Sequence, residues 1–365
     1  MRNILVYRDH LLPKSEFAFM HRQYVGFSEL RPVWVGRRLL PDFAASGFTP
    51  GPVFTGLSGA AFKLFGHVPM RQALRALNPV AIHAQFGRGG ALALPLARAL
   101  GIPLVVTFHG GDAHKSAHWR RLPMPALQRA RMQGMIDYAS VFLCVSEGVR
   151  DRLIARGVPP AKLSVLPIGV EITPLPPRTD PGDTILFIGR MVEMKGLPVL
   201  IEAIRRLRAQ GLTAPVVLIG DGPDRPAIQA ALQGVQGVEL RGWQTQDQIA
   251  GALAAARLVC IPSVVARSGE AEGLPSVAVE AMRQAVPVVA SSDAGVGGLI
   301  TNGQNGLIFR SRDANALAAS IASLLANQAT ALAMGAAARA TVVARYDATQ
   351  QSRELEQILL HATMG

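Results

Sequence analysis

Two α/β domains, each built on a parallel sheet, are predicted by three features of the sequence. Apolar strand-like runs alternate with helical stretches through the first half. A proline-rich break follows at residues 171–183, and beyond it the strand-to-glycine pattern starts over at Thr184-Ile-Leu-Phe-Ile-Gly189. The chain has 365 residues, 49% apolar and 17% charged, so it can bury two ordinary cores and is not a disordered chain. The expected division is a first domain at 1–170, a linker at 171–183 and a second domain at 184–345.

In the first domain, strands are expected at 4–7, 32–35, 81–83, 104–108, 141–145 and 162–166. No G-x-G-x-x-G follows the first of them. Arg8-Asp-His-Leu-Leu-Pro13 occupies that turn and argues against a dinucleotide fingerprint. Between Gly89 and Gly101, Ala91, Leu92, Leu94, Leu96, Ala97 and Leu100 predict a helix that Pro103 keeps from continuing. Val106-Thr-Phe-His109-Gly-Gly-Asp112 then sets a histidine and two glycines directly after a buried strand. Ligands of open parallel sheets bind outside the carboxyl ends of strands, so His109 is a candidate site residue, with Asp112 beside it. Ser146 holds the equivalent position one strand later, where a helix cap is the competing reading.

Four prolines between Glu171 and Asp183 can support neither helix nor central strand, hence the linker. The strand ending at Gly189 runs into Arg190-Met-Val-Glu-Met-Lys195-Gly196, and a helix follows with Leu197, Leu200, Ile201, Ile204 and Leu207 on its apolar face. Two cations beside glycines suit a diphosphate, Arg190 as a planar fork of donors and Lys195 as a compact charge. Val216-Val-Leu-Ile-Gly-Asp-Gly222-Pro223 repeats the design, followed by a short strand at 238–240, the turn Arg241-Gly242-Trp243 and a strand at 258–261.

The rest is arranged around Glu272-Gly273-Leu274-Pro275-Ser276-Val-Ala-Val-Glu280, read as a loop, then a helix to about residue 284, then the strand Val286-Pro-Val-Val-Ala290. Pro275 suits the first turn of a helix, and Gly273 is expected to let the backbone turn tightly before it. The amides near Ser276 and Val277, at the positive end of the helix dipole, form an anion site. Glu280 sits five residues past Pro275, about 7.5 Å along the axis, roughly the step from a diphosphate to its ribose. Glu272 lies on the other side of the helix start, toward whatever hangs from the far phosphate.

The net charge of +12 belongs to one half: residues 1–180 carry 22 Lys+Arg against 10 Asp+Glu, and residues 181–365 carry 15 of each. A localised basic surface fits anionic lipid, polyphosphate or nucleic acid. An aromatic content of 5%, without a stacking signature, argues against nucleic acid. Arg31, Arg37, Arg38, Lys63, Arg120, Arg121, Arg129 and Arg131, interleaved with Phe17, Phe19, Phe62, Phe65 and Trp119, suit an anionic membrane surface. Cys144 and Cys260 lie in apolar runs and read as reduced core residues of a cytoplasmic protein. The charged start is unlike a signal peptide, and the uncharged run 314–338 is too polar for a bilayer, so Ala-rich surface helices are expected there. No cluster with metal-ligand spacing is visible.

Taken together, Gly189-Arg190 with Lys195-Gly196, Gly220-Asp-Gly222-Pro223, Pro262-Ser263 and the two glutamates spaced around Gly-Leu-Pro resemble the retaining GT-B glycosyltransferases of group 1 and family 4. His83-Ala-Gln-Phe-Gly87, Thr107-Phe-His-Gly-Gly-Asp112, Lys14-Ser-Glu-Phe17 and Leu166-Pro-Ile-Gly-Val170 add to the resemblance, most closely to enzymes of colanic acid and amylovoran type. It implies two Rossmann-like domains facing across a cleft, with a last helix within 346–365 packed back on the first.

The resemblance further implies a UDP- or GDP-sugar donor and a lipid-linked or oligosaccharide acceptor, with no metal or cofactor. Arg190 and Lys195 would neutralise the diphosphate with Gly189, Gly222 and the amides after Gly273, at Leu274 and Ser276. Glu280 would hold the ribose, Glu272 the donor sugar, and His109 would face sugar and acceptor. Gly242 and Trp243 would lie near the base. The expected location is cytoplasmic, peripheral at the inner face of the membrane. Three positions depart from the family pattern: the turn after the first strand, Ala285 where glycine is usual, and Gly298 where glutamate is usual. A phosphorylase or nucleotide-sugar epimerase on the same scaffold, or a non-catalytic binding protein, are the alternatives.

Overall fold

The computed structural model describes residues 1–11, 19–40, 43, 49–114 and 125–364. Lys14-Ser-Glu-Phe17, Trp119, Arg120 and Arg121 lie outside them. The chain divides into two compact units, Met1–Glu171 with Ala348–Gly365, and Ile172–Asp347.

The first unit is a seven-stranded parallel sheet in the order β5-β3-β1-β6-β7-β8-β9. Its strands are β1 (Arg2–Tyr7), β3 (Leu30–Gly36), β5 (Thr49–Val53), β6 (Pro79–Gln85), β7 (Leu104–Phe108), β8 (Val141–Cys144) and β9 (Leu163–Val165). A side ribbon pairs β2 (His10–Leu11) with β4 (Arg38–Leu39), so the turn after β1 is partly extended. Strand β5 is absent from the sequence expectation because Pro50 and Pro52 argue against a central strand. It lies at the sheet edge, where proline is tolerated. Helices α1 (Gly56–Phe65), α2 (Arg71–Ala76), α3 (Gly87–Leu100), α4 (Gly111–His114), α5 (Pro125–Tyr138) and α6 (Glu147–Ile154) complete the crossovers. Helix α3 lies close to the sheet because Gly90 has no side chain: a Cβ there would meet the Met135 Sδ at 2.6 Å and Val106 at 2.8 Å.

The second unit is a six-stranded parallel sheet, β12-β11-β10-β13-β14-β15. The strands are β10 (Thr184–Ile188), β11 (Val216–Ile219), β12 (Val238–Gly242), β13 (Ala256–Ile261), β14 (Val288–Ser291) and β15 (Leu307–Phe309). They alternate with α7 (Leu197–Ala209), α8 (Arg225–Ala231), α9 (Gln246–Ala255) and α10 (Ser276–Arg283), and α11 (Ala314–Ala326) and α12 (Gln328–Arg345) follow. The core joins Ile185, Phe187 and Leu258 of the sheet to Leu200, Ile204, Leu317 and Ile321. The Ala-rich run is therefore only half surface, since α11 buries Leu317, Ile321 and Leu324 under the sheet. Among the described residues no single helix is long and apolar enough to cross a membrane; α11 and α12 pass that test only as a pair, bent by 104°.

Both positions that depart from the family pattern in this unit take left-handed backbone. Ala285, with φ of 55°, terminates α10, its successor's amide bonding back to the Ala281 carbonyl. Gly298 has φ of 81°, a conformation in which glutamate would be strained. Cys144 and Cys260 are buried free thiols, and burial pushes Cys144 up to about 12.

The last helix, α13 (Ala348–Ala362), belongs to the first unit, and Leu355, Leu359 and Leu360 join its core beside Val105 and Leu143. Its buried Glu356 carboxylate accepts from the amides of Ser28 (2.9 Å), Glu29 (2.7 Å) and Leu30 (2.7 Å) and from the Ser28 hydroxyl (3.1 Å). Burial opposes ionisation, but these four donors outweigh it and hold the carboxyl below its ordinary 4.5. A lowered native pKa supplies stability above the unfolded value and loses it as pH falls through the native one. Glu356→Ala is expected to cost roughly 2–4 kcal/mol at pH 7. In denaturant titrations the gap from wild type should narrow as pH falls below 4.5.

Candidate active site

In the second unit the strand order reverses between β10 and β13, which opens a crevice at their carboxyl ends. The loops along that edge are stitched together by backbone bonds. Gly189 N donates to Ile219 O (3.0 Å), Gly220 N to Gly242 O (2.7 Å), Met191 N to Asp221 O (2.8 Å) and Val264 N to Met194 O (2.8 Å). Glycine is required at these crossings, most tightly at Gly196 and Gly220. Gly196 has φ of 66°, and a Cβ on it would stand 1.8 Å from the Pro262 carbonyl oxygen; Gly220 has φ of 130°, and a Cβ there would stand 2.0 Å from the Gly189 carbonyl oxygen.

These crossings bring Lys195 to Glu272. The lysine closes a short 3-10 turn, Glu193–Lys195, with its aliphatic stem against Gly189. Its ammonium forms an ion pair with the Glu272 carboxylate, which also accepts from the Ser263 hydroxyl at 3.2 Å. Ser263 is in turn held by the Ser291 hydroxyl, which donates to its carbonyl. Both members of the pair are largely buried. Arg190 is exposed, and its guanidinium has no hydrogen bond or ion pair among the described residues. Gly222 lies on the Met191 carbonyl, which a Cβ would approach to 2.3 Å.

Helix α10 starts at Ser276, with Pro275 as its extended N-cap rather than inside its first turn. Gly273 is not among the left-handed glycines. The tight turn belongs to Gly295, whose φ is 69° and whose Cβ would meet the Gly273 carbonyl at 2.4 Å. Leu274 and Glu280 are partly exposed, Ser276 is exposed, and Glu280 stands one turn beyond Ser276 on the same helix. Gly242 ends β12 in left-handed backbone, and Trp243 after it is 72% exposed.

The first unit gathers a second polar group at the ends of β6 and β7. His109 is partly buried, its ring 4.4 Å from Phe86 and 5.4 Å from Phe19. Its Nε2 bonds the Gln85 Oε1 at 2.7 Å. Burial, with His83 and Arg8 nearby, pushes the imidazole down to about 3, so it is neutral across the physiological range. Buried Asp112 accepts from the amides of Gly87 (2.8 Å), His109 (3.0 Å) and Gly110 (3.0 Å), which ties the loop after β7 to the start of α3. Burial outweighs these bonds and raises its carboxyl above the ordinary value. Ser146 caps α6, accepting from Val149 N at 3.4 Å. Among the described residues no group of three His, Cys, Asp or Glu side chains could hold a metal ion.

The aromatic and basic residues expected on one surface do not all lie there. Phe62 is fully buried, Arg131 is buried and donates to the Lys63 carbonyl, and Arg37 pairs with Asp9 (2.7 Å for one of its two bonds). Helix α1 instead turns Phe62 and Gly59 inward and leaves Leu57 91% and Phe65 76% exposed. Ser263 and Gln85 were not singled out as site residues. The signal for Gln85 was available, because His83 and Gln85 alternate on one face of a strand and Thr107 and His109 follow the same period on its neighbour.

Comparison with known proteins agrees with this architecture. A family model described as "Glycosyl transferases group 1" matches residues 182–327, and one described as "Glycosyltransferase Family 4" matches residues 36–173. The amylovoran biosynthesis glycosyltransferase AmsK of Erwinia amylovora is 31% identical over 287 residues, 75% of this chain and 68% of AmsK. WcaL of Salmonella typhimurium, named for colanic acid biosynthesis, is 31% identical over 252 residues; the match spans 66% of this chain but only 60% of that relative's length. The crystal structure of Anabaena HepE in complex with UDP-glucose superposes with a TM-score of 0.75 at 19% identity, covering 99% of this chain and all of HepE, and so shares the GT-B fold.

Gly196→Ala is expected to destabilise the second unit by more than about 2 kcal/mol, since left-handed strain adds to a backbone clash that cannot relax. Urea titration of the purified variant checks this.

Proposed function

The chain belongs to the group 1 and family 4 glycosyltransferases, and from that premise we propose that it transfers a sugar, with retained configuration, from a nucleotide diphosphate sugar to a lipid-linked or oligosaccharide acceptor of a cell-surface glycan. The reading rests on one observation: Lys195 and Glu272, from the loops after β10 and β13, meet beside the N-terminus of α10.

Departure of a nucleoside diphosphate concentrates negative charge on its phosphates. Lys195, Arg190 and the first amides of α10 stabilise that charge more in the transition state than in the ground state, which is what accelerates transfer. In this reading no metal is required. Lys195 is held by Glu272, so a diphosphate competes with that carboxylate for the ammonium. The exchange frees Glu272 to accept from hydroxyls of the transferred sugar, coupling recognition of the two halves of the donor. Glu280, one turn along α10, takes the ribose, and Gly242 and Trp243 border the base. No protein carboxylate is assigned as a nucleophile, so the acceptor attacks on the face that the diphosphate leaves.

A thermal-shift screen across UDP- and GDP-sugars identifies the donor, beginning with UDP-glucose, the ligand of HepE. Lys195→Ala and Glu272→Ala are each expected to lower transfer roughly 100-fold or more. They should differ toward the bare nucleoside diphosphate. Lys195→Ala weakens its binding, whereas Glu272→Ala leaves it unchanged or tighter, because the competing carboxylate is gone. Unchanged transfer in folded variants would overturn the assignment.

We further propose that the first unit works at an anionic lipid surface on the cytoplasmic side. Leu57, Ala60 and Leu64 share the outward face of α1, with Phe65 beside them, so this helix is apolar on both faces. Between Asp42 and Asp112 the sequence has no acidic residue, while Lys63, Arg71 and Arg75 accompany the apolar stripe. Cosedimentation with vesicles containing phosphatidylglycerol should exceed that with phosphatidylcholine and fall as salt rises, and Leu57→Asp with Phe65→Asp should abolish it. Equal binding to both lipids would refute the proposal.

A further inference from the structure

The polar residues behind His109 form one continuous hydrogen-bonded chain. The Gln85 amide nitrogen donates to the Gln23 side-chain oxygen (2.8 Å) and to the Tyr24 hydroxyl (2.8 Å). With both its donors spent there, Gln85 turns its carbonyl oxygen to the His109 Nε2, 2.7 Å away. A carbonyl can only accept, so in this orientation of the Gln85 amide that nitrogen carries the proton. The Tyr24 hydroxyl, accepting from Gln85, passes its own hydrogen to His83 Nδ1 at 2.8 Å, and His83 Nε2 donates to the Thr107 hydroxyl at 2.7 Å. His83, Gln85 and Thr107 are fully or nearly fully buried, so the pattern cannot be exchanged for water without leaving donors unpaired.

We propose that Gln85, anchored by Gln23 and Tyr24, is a positioning residue that locks His109 in its Nε2-protonated tautomer and leaves Nδ1 as a hydrogen-bond acceptor. Such a nitrogen recognises a ligand hydroxyl and not a phosphate oxygen or a carbonyl, because only the hydroxyl brings a hydrogen. The neighbouring backbone is strained to the same end. Phe86 has φ of 68°, costly for an aromatic residue, and its ring lies 4.4 Å from the imidazole. The Phe86 amide donates to the Thr107 carbonyl at 2.8 Å and its carbonyl accepts from Gly90 at 2.9 Å, which holds the residue in that conformation. Contact with the tilted Phe86 ring on one side and the edge-on Phe19 ring on another confines the imidazole, and Gln85 fixes which nitrogen bears the proton.

The network has one other self-consistent state, in which every donor and acceptor trades roles and His109 presents Nδ1–H. Nitrogen-15 NMR of histidine-labelled protein separates the two without any substrate. The expected wild-type spectrum has His109 Nε2 at a protonated and Nδ1 at a lone-pair shift. Gln85→Leu should turn this into a mixture of tautomers. Tyr24→Phe, nearly isosteric and safe for folding, keeps the Gln23 anchor and should give a smaller change in the same direction. A wild-type Nδ1–H tautomer, or a His109 spectrum unchanged in folded Gln85→Leu, would overturn the proposal.

The catalytic consequence rests on the glycosyl-transfer reading. With the donor found by the thermal-shift screen, Gln85→Leu should lower kcat about tenfold while donor KM stays within about twofold. A tautomer that shifts with no loss of kcat would refute the role in catalysis. A protein that transfers no sugar at all would refute the transferase reading and leave the tautomer lock standing on the spectra.

Discussion

A carboxylate taken out of water has to be given donors, and three glutamate or aspartate side chains that meet this requirement hold the functional parts of the molecule in place. Asp112 gathers three backbone amides and so fixes the loop that carries His109. Glu356 gathers three more and a hydroxyl, which brings the far end of the chain back to the sheet where it began. Glu272 takes a lysine and a serine instead of amides. That difference matters chemically. Amides are part of the fold and cannot leave, whereas an ammonium and a hydroxyl sit on side chains that can turn away, so the third carboxylate alone of the three is held entirely by side-chain donors.

The geometry that brings Lys195 and Glu272 together is set by backbone packing more than by the two side chains. Both sheets are parallel and both reverse their strand order, β10 to β13 in one unit and β1 to β6 in the other. At each reversal the loops part and leave room for a ligand. In the second unit the remaining space is closed by crossings so tight that a methyl group would collide with a carbonyl, at Gly196, Gly220, Gly222 and Gly295. The glycine-rich turns of the sequence are therefore not signs of flexibility. They are contact points that fix where the lysine stem and the start of α10 must lie.

Most of the architecture was legible because parallel strands are apolar runs and helices such as α7 and α10 are amphipathic. The misread pieces share a cause. Edge strand β5 was hidden by prolines, which an edge tolerates and an interior strand does not. Phe62 and Phe65 look alike in the sequence, but three residues of helix turn one into the core and leave the other outside. Arg37 and Arg131 counted as free cations until Asp9 and a backbone carbonyl claimed them. In each case the outcome was decided by a neighbour distant along the chain.

Residue type and spacing alone determined the parallel-sheet class, the break after residue 171, the cations Arg190 and Lys195, and the glutamates on either side of a helix start. Local propensity and strand period depend on adjacent residues, and those are written in order. Tertiary structure decided which groups touch: that Lys195 is held by Glu272, that Glu356 closes the first unit, and that Gln85 meets His109. Such pairings are made between segments far apart in sequence, and only the packing of the sheets determines which donor reaches which lone pair.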